Sequence, residues 1–383
     1  MCDITEYESV FTPGAPIRLR QFLLGREQEM SDLMRGLRRS GHHPIVIGNR
    51  GVGKTSVVHH AVQDRGGVAA KVTCNRRLTF DGLARAILGQ IGVEVDNRRL
   101  DSWTVFQWCK QLDKPLTIVI DEYDTIPTGA VDFHSAVAEL MKAAADNSSS
   151  DSDVHIVVVG VAQSAAALLG RHDSIERSAR EIYLRPLRTE DVLDFLSGAE
   201  DELSFSFVAD IKHRIARDSL GYPYFVHLVG LECMDAMLAR DKNARQVIEQ
   251  DYERAIRRAV QRAYRSELRK YQKAVEGLGE AEMAVIRELV AVDDPEPARL
   301  ELQRRLEQKR SMTAAEFDHA WVRLQQERRI LYVSRNNDGI RFADPLMKPF
   351  LRATILRDPP PPGSTSQAPA QLDLFPACDR EPN

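Results

Sequence analysis

The sequence has few cysteines, no long apolar run and no excess of positive charge, and each shortage removes a class of protein. Five cysteines (Cys2, Cys74, Cys109, Cys233, Cys378) are scattered over 383 residues, with no Cys-x-x-Cys pair and no histidine at ligand spacing. A disulfide framework and a zinc site are therefore not expected, and a reducing compartment fits. The first residues, Met1-Cys2-Asp3-Ile4-Thr5-Glu6, lack the basic and apolar stretches of a leader, and no apolar run is long enough to span a bilayer. The expected location is cytoplasmic, with no membrane partner. With a net charge of −4, the chain as a whole has no attraction for a polyanion. Patterns of nuclease, protease or transferase chemistry are missing as well.

What is present is the composition of a globular protein, 43% hydrophobic and 28% charged, at a length that calls for two or three domains. Charge is uneven: residues 251–357 carry 22 Lys and Arg against 17 Asp and Glu. That local excess permits an anionic partner for the C-terminal part without demanding one.

The most informative stretch is Gly48-Asn49-Arg50-Gly51-Val52-Gly53-Lys54-Thr55-Ser56, which contains the complete G-x-x-x-x-G-K-[ST] pattern. Pro44-Ile45-Val46-Ile47 before it reads as a buried strand, and Thr55–Val62 after it as a helix. Strand, glycine loop and helix start aim consecutive backbone N–H groups at one anion, with the helix dipole behind them. Lys54 would reach the β- and γ-phosphates of a nucleoside triphosphate, and the Thr55 hydroxyl would ligate Mg2+. Downstream, Leu116–Ile120 is an apolar strand ending in Asp121-Glu122. Beside the phosphate loop, Asp121 would hold Mg2+ through water and Glu122 would polarise the attacking water.

Residues 1–21 are expected to be mostly loop, and a helix follows Gly25-Arg26-Glu27 with Met30, Leu33 and Leu37 inward. Arg26 lies where many phosphate-loop ATPases hold the adenine, although a plain helix start also explains it. Further strands are expected at Ala69–Cys74, Val154–Gly160 and Ile182–Leu184, with helices between them. This alternation predicts an α/β fold, a parallel sheet with helices on both faces and the ligand at the carboxyl ends of its strands. Gln163 or Ser164, just past the fourth strand, could lie against the γ-phosphate.

Helices are expected at Thr189–Leu196, Phe205–Ala216 and Tyr224–Ala239, then from Asp251 to about Tyr271. In the last of these Arg254, Arg258, Arg262, Arg265, Arg269 and Lys273 form a basic stripe, either a solvated face or a contact for phosphate or another subunit. From Gly279 on, three helices and a hairpin follow, the third helix opening on the capping box Thr313-Ala314-Ala315-Glu316. This is a winged-helix plan, whose use is either DNA contact or a structural, dimerising role. The third helix starts with residues poor at reading bases, whereas Arg323, Arg328, Arg329, Arg335 and Arg341 suit phosphates. The end, from Pro359, is Pro-rich and expected to be disordered.

Together these motifs resemble the AAA+ ATPases of the origin-recognition/Cdc6-like type and their bacterial relatives, over about residues 20–356. The resemblance implies a phosphate-loop ATPase core over 1–187, a helical lid and basic helix over 188–275, and a winged-helix domain over 276–357. Residues 358–383 then form the tail. It implies ATP and Mg2+ as cofactors and Lys54, Thr55, Asp121 and Glu122 as the Walker residues. Gln163, or Ser164, falls at sensor 1. Arg177 is the choice for an arginine finger completing the site of a neighbouring copy in a homo-oligomer, with Arg180 and Arg171 as alternatives. Where a sensor 2 arginine is usual, the chain has Gly221-Tyr222-Pro223-Tyr224. A Gly-x-Pro there is similar to the STAND signalling ATPases, in which the proline packs near the nucleotide; Pro223 would do so here, and the lost cationic contact to the γ-phosphate favours slow turnover. In the tail, Gln371-Leu372-Asp373-Leu374-Phe375 resembles the pentapeptide that binds the bacterial sliding clamp, which implies a bacterial host. The function expected is a slow ATP switch engaging duplex DNA, or else a STAND-like sensor without direct DNA binding.

Overall fold

The computed structural model describes residues 4–148, 153–170, 175–208, 210–263, 268–292, 294, 297–333, 339–344 and 347–355. Arg171, Arg265, Arg335, the hairpin tip and the tail residues Gln371, Leu372, Asp373, Leu374 and Phe375 lie outside the described residues. The chain divides into two compact units, one made of residues 14–195 with Tyr222–Tyr224, the other of residues 1–13, 196–221 and those from 225 on.

The second unit begins with helix α1, Ile4–Val10, where the sequence pattern suggests loop. Tyr7, Val10 and Phe11 are buried at helical spacing, an amphipathic stripe too short to stand out in a polar stretch. Phe11 lies so close to Gly230 that a Cβ there would meet its ring at 2.2 Å.

The first unit is built on the expected sheet. Its elements in order are α2 (Glu27–Arg38), β1 (His43–Gly48), α3 (Lys54–Arg65), β2 (Val68–Thr73), α4 (Phe80–Gln90) and α5 (Ser102–Lys110). Then come β3 (Leu116–Asp121), α6 (Val131–Asp146), β4 (Val154–Gly160), α7 (Ala162–Leu169), α8 (Ile175–Ser178) and β5 (Ala179–Leu184). The five strands run in the order β2-β3-β4-β1-β5 and every pair is parallel. Strands buried on both faces carry continuous Val and Ile, and their alternation sorts the two sides. Ile45, Ile118, Ile120, Ile156 and Val158 pack in one core with α4, α5 and α6. Val46, Val119, Val157 and Val159 pack in another with Leu33 and Leu37 of α2 and Val57 and Ala61 of α3. The expectation of helices on both faces of a parallel sheet is met.

Helix α9 (Thr189–Leu203) leaves the sheet, and β6 (Ser206–Phe207), α10 (Ile211–Ser219), α11 (Pro223–Arg240), β7 (Gln246–Val247), α12 (Glu249–Ala263) and α13 (Leu268–Val275) follow. The helix expected at Phe205–Ala216 is therefore corrected: its first residues pair as a short parallel strand with β7. Phe205 and Phe207 alternate, with rings 5.0 Å apart edge to face, which suits a strand and not a helix. Of the helix expected over Asp251 to about Tyr271, the described residues up to Ala263 and from Leu268 on are helical, and residues 264–267 lie outside the described residues.

The C-terminal helices are α14 (Glu280–Ala291), α15 (Arg299–Gln308) and α16 (Ala314–Val322), followed by a π-helical turn over Arg323–Glu327. The capping box is formed, since Thr313 Oγ1 accepts from the Glu316 N–H at 3.3 Å and Glu316 Oε2 accepts from the Thr313 N–H at 2.8 Å. Strands β8 (Leu331–Val333) and β9 (Ile340–Phe342) pair antiparallel, and α17 (Met347–Ile355) ends the described chain. Among the described residues, no helix is long and apolar enough to cross a membrane.

Candidate nucleotide-binding site

Strand β1 ends at Gly48, and the loop to α3 turns back over the carboxyl edge of the sheet. Two glycines make that turn possible. Gly53, the N-cap of α3, has φ +95°, a left-handed conformation costly for a residue with a side chain. At Gly48 the need is space, because a Cβ would stand 2.8 Å from Val52 Cγ1 and 2.9 Å from the Leu184 carbonyl. The loop therefore presents main chain, not side chains, ahead of the N-terminus of a twelve-residue helix.

Lys54, the first residue of α3, folds over this loop and donates from Nζ to the carbonyls of Gly48 at 2.8 Å and Asn49 at 3.0 Å. Burial lowers its pKa, opposed by the carboxylates of Asp124, Asp121 and Glu122. Next to it, Thr55 donates its hydroxyl to Asp121 Oδ2 at 3.0 Å, joining α3 to the end of β3 although β4 lies between β3 and β1. A hydroxyl and a carboxylate are the hard oxygen donors that Mg2+ accepts, and that ion normally keeps waters and phosphate oxygens as its other ligands. The residues fit the ion in this shared role. Among the described residues no cluster of three or more His, Cys, Asp or Glu could hold a metal alone.

Glu122 follows Asp121 with φ +52°, in the left-handed region, and its side chain is exposed. A non-glycine residue held there is strained, which is common where a side chain is aimed for use. The Thr125 N–H and hydroxyl both bind the Glu122 carbonyl at 2.9 Å and fix the turn.

The remaining sequence-derived candidates separate. Arg26 is buried and donates to the Val52 carbonyl at 2.8 Å, bracing the loop from behind. Arg50 is exposed on the loop, and the Ser56 hydroxyl accepts from the Ile17 N–H at 3.2 Å. Gln163 is exposed on the first turn of α7, whereas Ser164 is buried and caps that helix, donating to the Val161 carbonyl at 2.8 Å. Arg180 is committed to Asp32 at 2.6 Å. Arg177 is exposed and makes no hydrogen bond or ion pair among the described residues.

Of the other partners of the loop and of Asp121, only Pro223 was expected from the sequence. Asn49 Nδ2 donates to the Tyr222 hydroxyl at 3.2 Å, and the Tyr224 N–H donates to the Gly51 carbonyl at 3.2 Å. A Cβ built at Gly53 would lie 3.7 Å from Pro223 Cγ, so Tyr222-Pro223-Tyr224 flank the loop directly. Lys71 of β2 pairs with Asp121 Oδ2 at 2.9 Å. A polar residue alternating with buried ones along β2 was the only available signal, and it does not name a partner.

Residues 38–169 match the family model of the AAA domain. A stretch of 143 residues, 36% of this chain, is 29% identical to the chaperone protein ClpB of Streptomyces albus G and represents 16% of that protein's length. In three dimensions the chain is similar to the Walker-type ATPase PABY2304 of Pyrococcus abyssi, at 15% identity and a TM-score of 0.58, over 90% of this chain and 99% of the other. It is also similar to the ORC2 protein of Aeropyrum pernix (14% identity, TM-score 0.53, 90% and 96% covered). The ORC1 protein of the same organism, solved in complex with DNA, gives 16% identity and a TM-score of 0.51, with 91% and 96% covered. The chain thus carries an AAA domain on the fold of phosphate-loop ATPases.

Proposed function

We propose that this chain is an ATP-binding, slowly hydrolysing switch that assembles with copies of itself and engages duplex DNA through its C-terminal part. The observation carrying the ATPase reading is the Thr55–Asp121 hydrogen bond at 3.0 Å beneath the glycine loop. It brings a metal-ligating hydroxyl and a metal-ordering carboxylate together where the loop and Lys54 would receive the phosphates. Bound Mg2+ would spread the charge of the phosphate oxygens. Glu122, held exposed at the strand end, would accept the proton of the attacking water. Arg177 would stabilise charge in the site of a neighbouring copy.

Slow turnover is supported by the clasp of Tyr222 and Tyr224 on the loop, since groups that must part for exchange delay it. DNA engagement is supported by the exposed Arg254, Arg257 and Arg258 of α12 and by the three-helix and hairpin order of residues 280–342, a winged-helix plan. Similarity to the ORC1 protein points the same way. Arg323 is tied to Glu282 at 2.5 Å and Arg262 to Glu232 at 3.1 Å, so Arg254, Arg257 and Arg258 of α12 make the better phosphate surface. A bacterial sliding clamp is proposed as a partner of Gln371–Phe375 on the sequence pattern alone.

The same clasp favours one second reading, a STAND-like sensor whose C-terminal part binds protein instead of DNA. ATPase rate with and without duplex DNA, over a salt series, separates the two. DNA stimulation that fades with salt is the result expected of the switch; a rate indifferent to DNA at all salt concentrations supports the sensor.

A further inference from the structure

Asp121 is engaged by more than the Thr55 hydroxyl. Its Oδ2 also pairs with Lys71 Nζ at 2.9 Å, and its Oδ1 accepts from the Glu122 N–H at 2.8 Å. Lys71 lies on β2, at the edge of the sheet, in register with Val119 of β3. Residues two apart on a strand share a face, so Lys71 and Asp121 project to the same side and a lysine stem spans the offset.

The root of Lys71 is unusually well held for an edge residue. Its N–H donates to Gln90 Oε1 at 2.9 Å, and its carbonyl accepts from Gln90 Nε2 at 2.9 Å. An edge strand ordinarily leaves those two groups to water or to a partner strand. Here one side chain of α4 satisfies both and fixes where the stem begins. The two ends of the ion pair differ in exposure: the Asp121 side chain is 6% exposed and that of Lys71 42%. The carboxylate is fixed and the ammonium can leave.

We propose that Lys71 is a resident counter-ion of Asp121 that competes with the divalent cation and so sets how much Mg2+ the site requires. This rests on the reading of the site as one for Mg2+ and ATP. A buried carboxylate without a cation is costly, and Lys71 offsets that cost before nucleotide arrives. A divalent ion approaching Thr55 and Asp121 meets a like charge already in place, which weakens its binding. The ammonium, a point charge on a flexible stem, can swing toward solvent as the divalent ion enters. Lys71 is thus a positioning residue that acts through Asp121.

The test compares full-length wild type, Lys71→Met and Lys71→Arg in two measurements. One is binding of a fluorescent ATP analogue over an Mg2+ titration; the other is thermal unfolding without nucleotide. Lys71→Met is expected to lower the half-saturating Mg2+ concentration roughly tenfold, about 1.4 kcal/mol, and to lower the unfolding temperature. Lys71→Arg keeps the charge and should retain the wild-type Mg2+ requirement. A lysine that only supports the fold would lower the unfolding temperature and leave the Mg2+ requirement unchanged. That result, or a raised requirement, overturns the inference while wild-type binding leaves the ATPase reading intact. Wild type that binds no nucleotide at any Mg2+ concentration overturns both together. If Lys71→Met does not fold, Lys71→Gln carries the same comparison.

Discussion

Asn49 donates its side-chain amide to the Tyr222 hydroxyl at 3.2 Å, tying the glycine loop to a residue 173 positions further along the chain. A single neutral hydrogen bond is worth about 0.5–1.5 kcal/mol. Tyr222→Phe should therefore speed release of a fluorescent ADP analogue by up to about tenfold, with nucleotide still bound. Stopped-flow release checks it, and an unchanged rate would show that the clasp does not govern exchange.

Lys54→Ala should abolish nucleotide binding, because it removes the cation that faces the β- and γ-phosphates. Glu122→Gln should preserve binding and stop hydrolysis, since the side chain keeps its size and loses its basicity. Equilibrium binding and phosphate release distinguish the two. Wild-type turnover in Glu122→Gln would remove that residue from the reaction.

Arg177, exposed and without a partner among the described residues, is available to a second copy in a way that Arg180, bonded to Asp32 at 2.6 Å, is not. Arg177→Ala should leave nucleotide affinity unchanged and cut turnover by roughly a factor of 10³. Mixing Arg177→Ala with Glu122→Gln should recover part of the activity, as one mixed site contains both intact residues. Co-assembly without recovery would refute action in trans.

Replacing Arg254, Arg257 and Arg258 by Ala should weaken binding to duplexes of unrelated sequence equally. It should also flatten the salt dependence of log Kd, by about one unit of slope for each phosphate that is no longer neutralised. These three are exposed on α12, so folding should persist. An unaltered slope would make this helix a solvated surface.

Stability should fall on the acid side because His43, His155 and His227 are buried and held neutral by that burial. Burial holds His43 down at about 3 and His227 down at about 4, each below the ordinary 6.5. Their depressed values mean that the unfolded chain binds the protons, so stability is full above pH 6.5 and declines as pH falls toward 4. The slope is about 1.4 kcal/mol per pH unit for each group. Denaturant titrations from pH 7 to 4 measure it; His227→Gln should lower the slope by that one group's share, about 1.4 kcal/mol per pH unit.

The ATPase core could be read from the chain because its signals are local. The Gly48–Thr55 pattern specifies a loop by residue types a few positions apart, and the Ile and Val runs of β1, β3 and β4 announce strands buried on both faces. Where the sequence misled, the deciding partner was distant. Helix α1 is short, and its apolar face is covered by α11, with Phe11 against Gly230. Phe205–Val208 has residues acceptable in a helix, and pairing with Gln246-Val247 turns part of it into strand.

By itself the sequence determined that a glycine loop, a lysine, a hydroxyl and two carboxylates would occur on a parallel α/β frame. Spacing along one strand or one turn is enough for that, since local backbone geometry converts spacing into position. Tertiary structure alone decided the use of each side chain. It set Arg26 behind the loop, Ser164 as a helix cap, Tyr222 on Asn49 and Lys71 on Asp121. Those outcomes follow from strand order and register: a lysine on β2 reaches Asp121 only because β2 pairs in parallel with β3 at the Lys71–Val119 register. No local spacing between residues 71 and 121 encodes that alignment; it comes from packing the whole sheet.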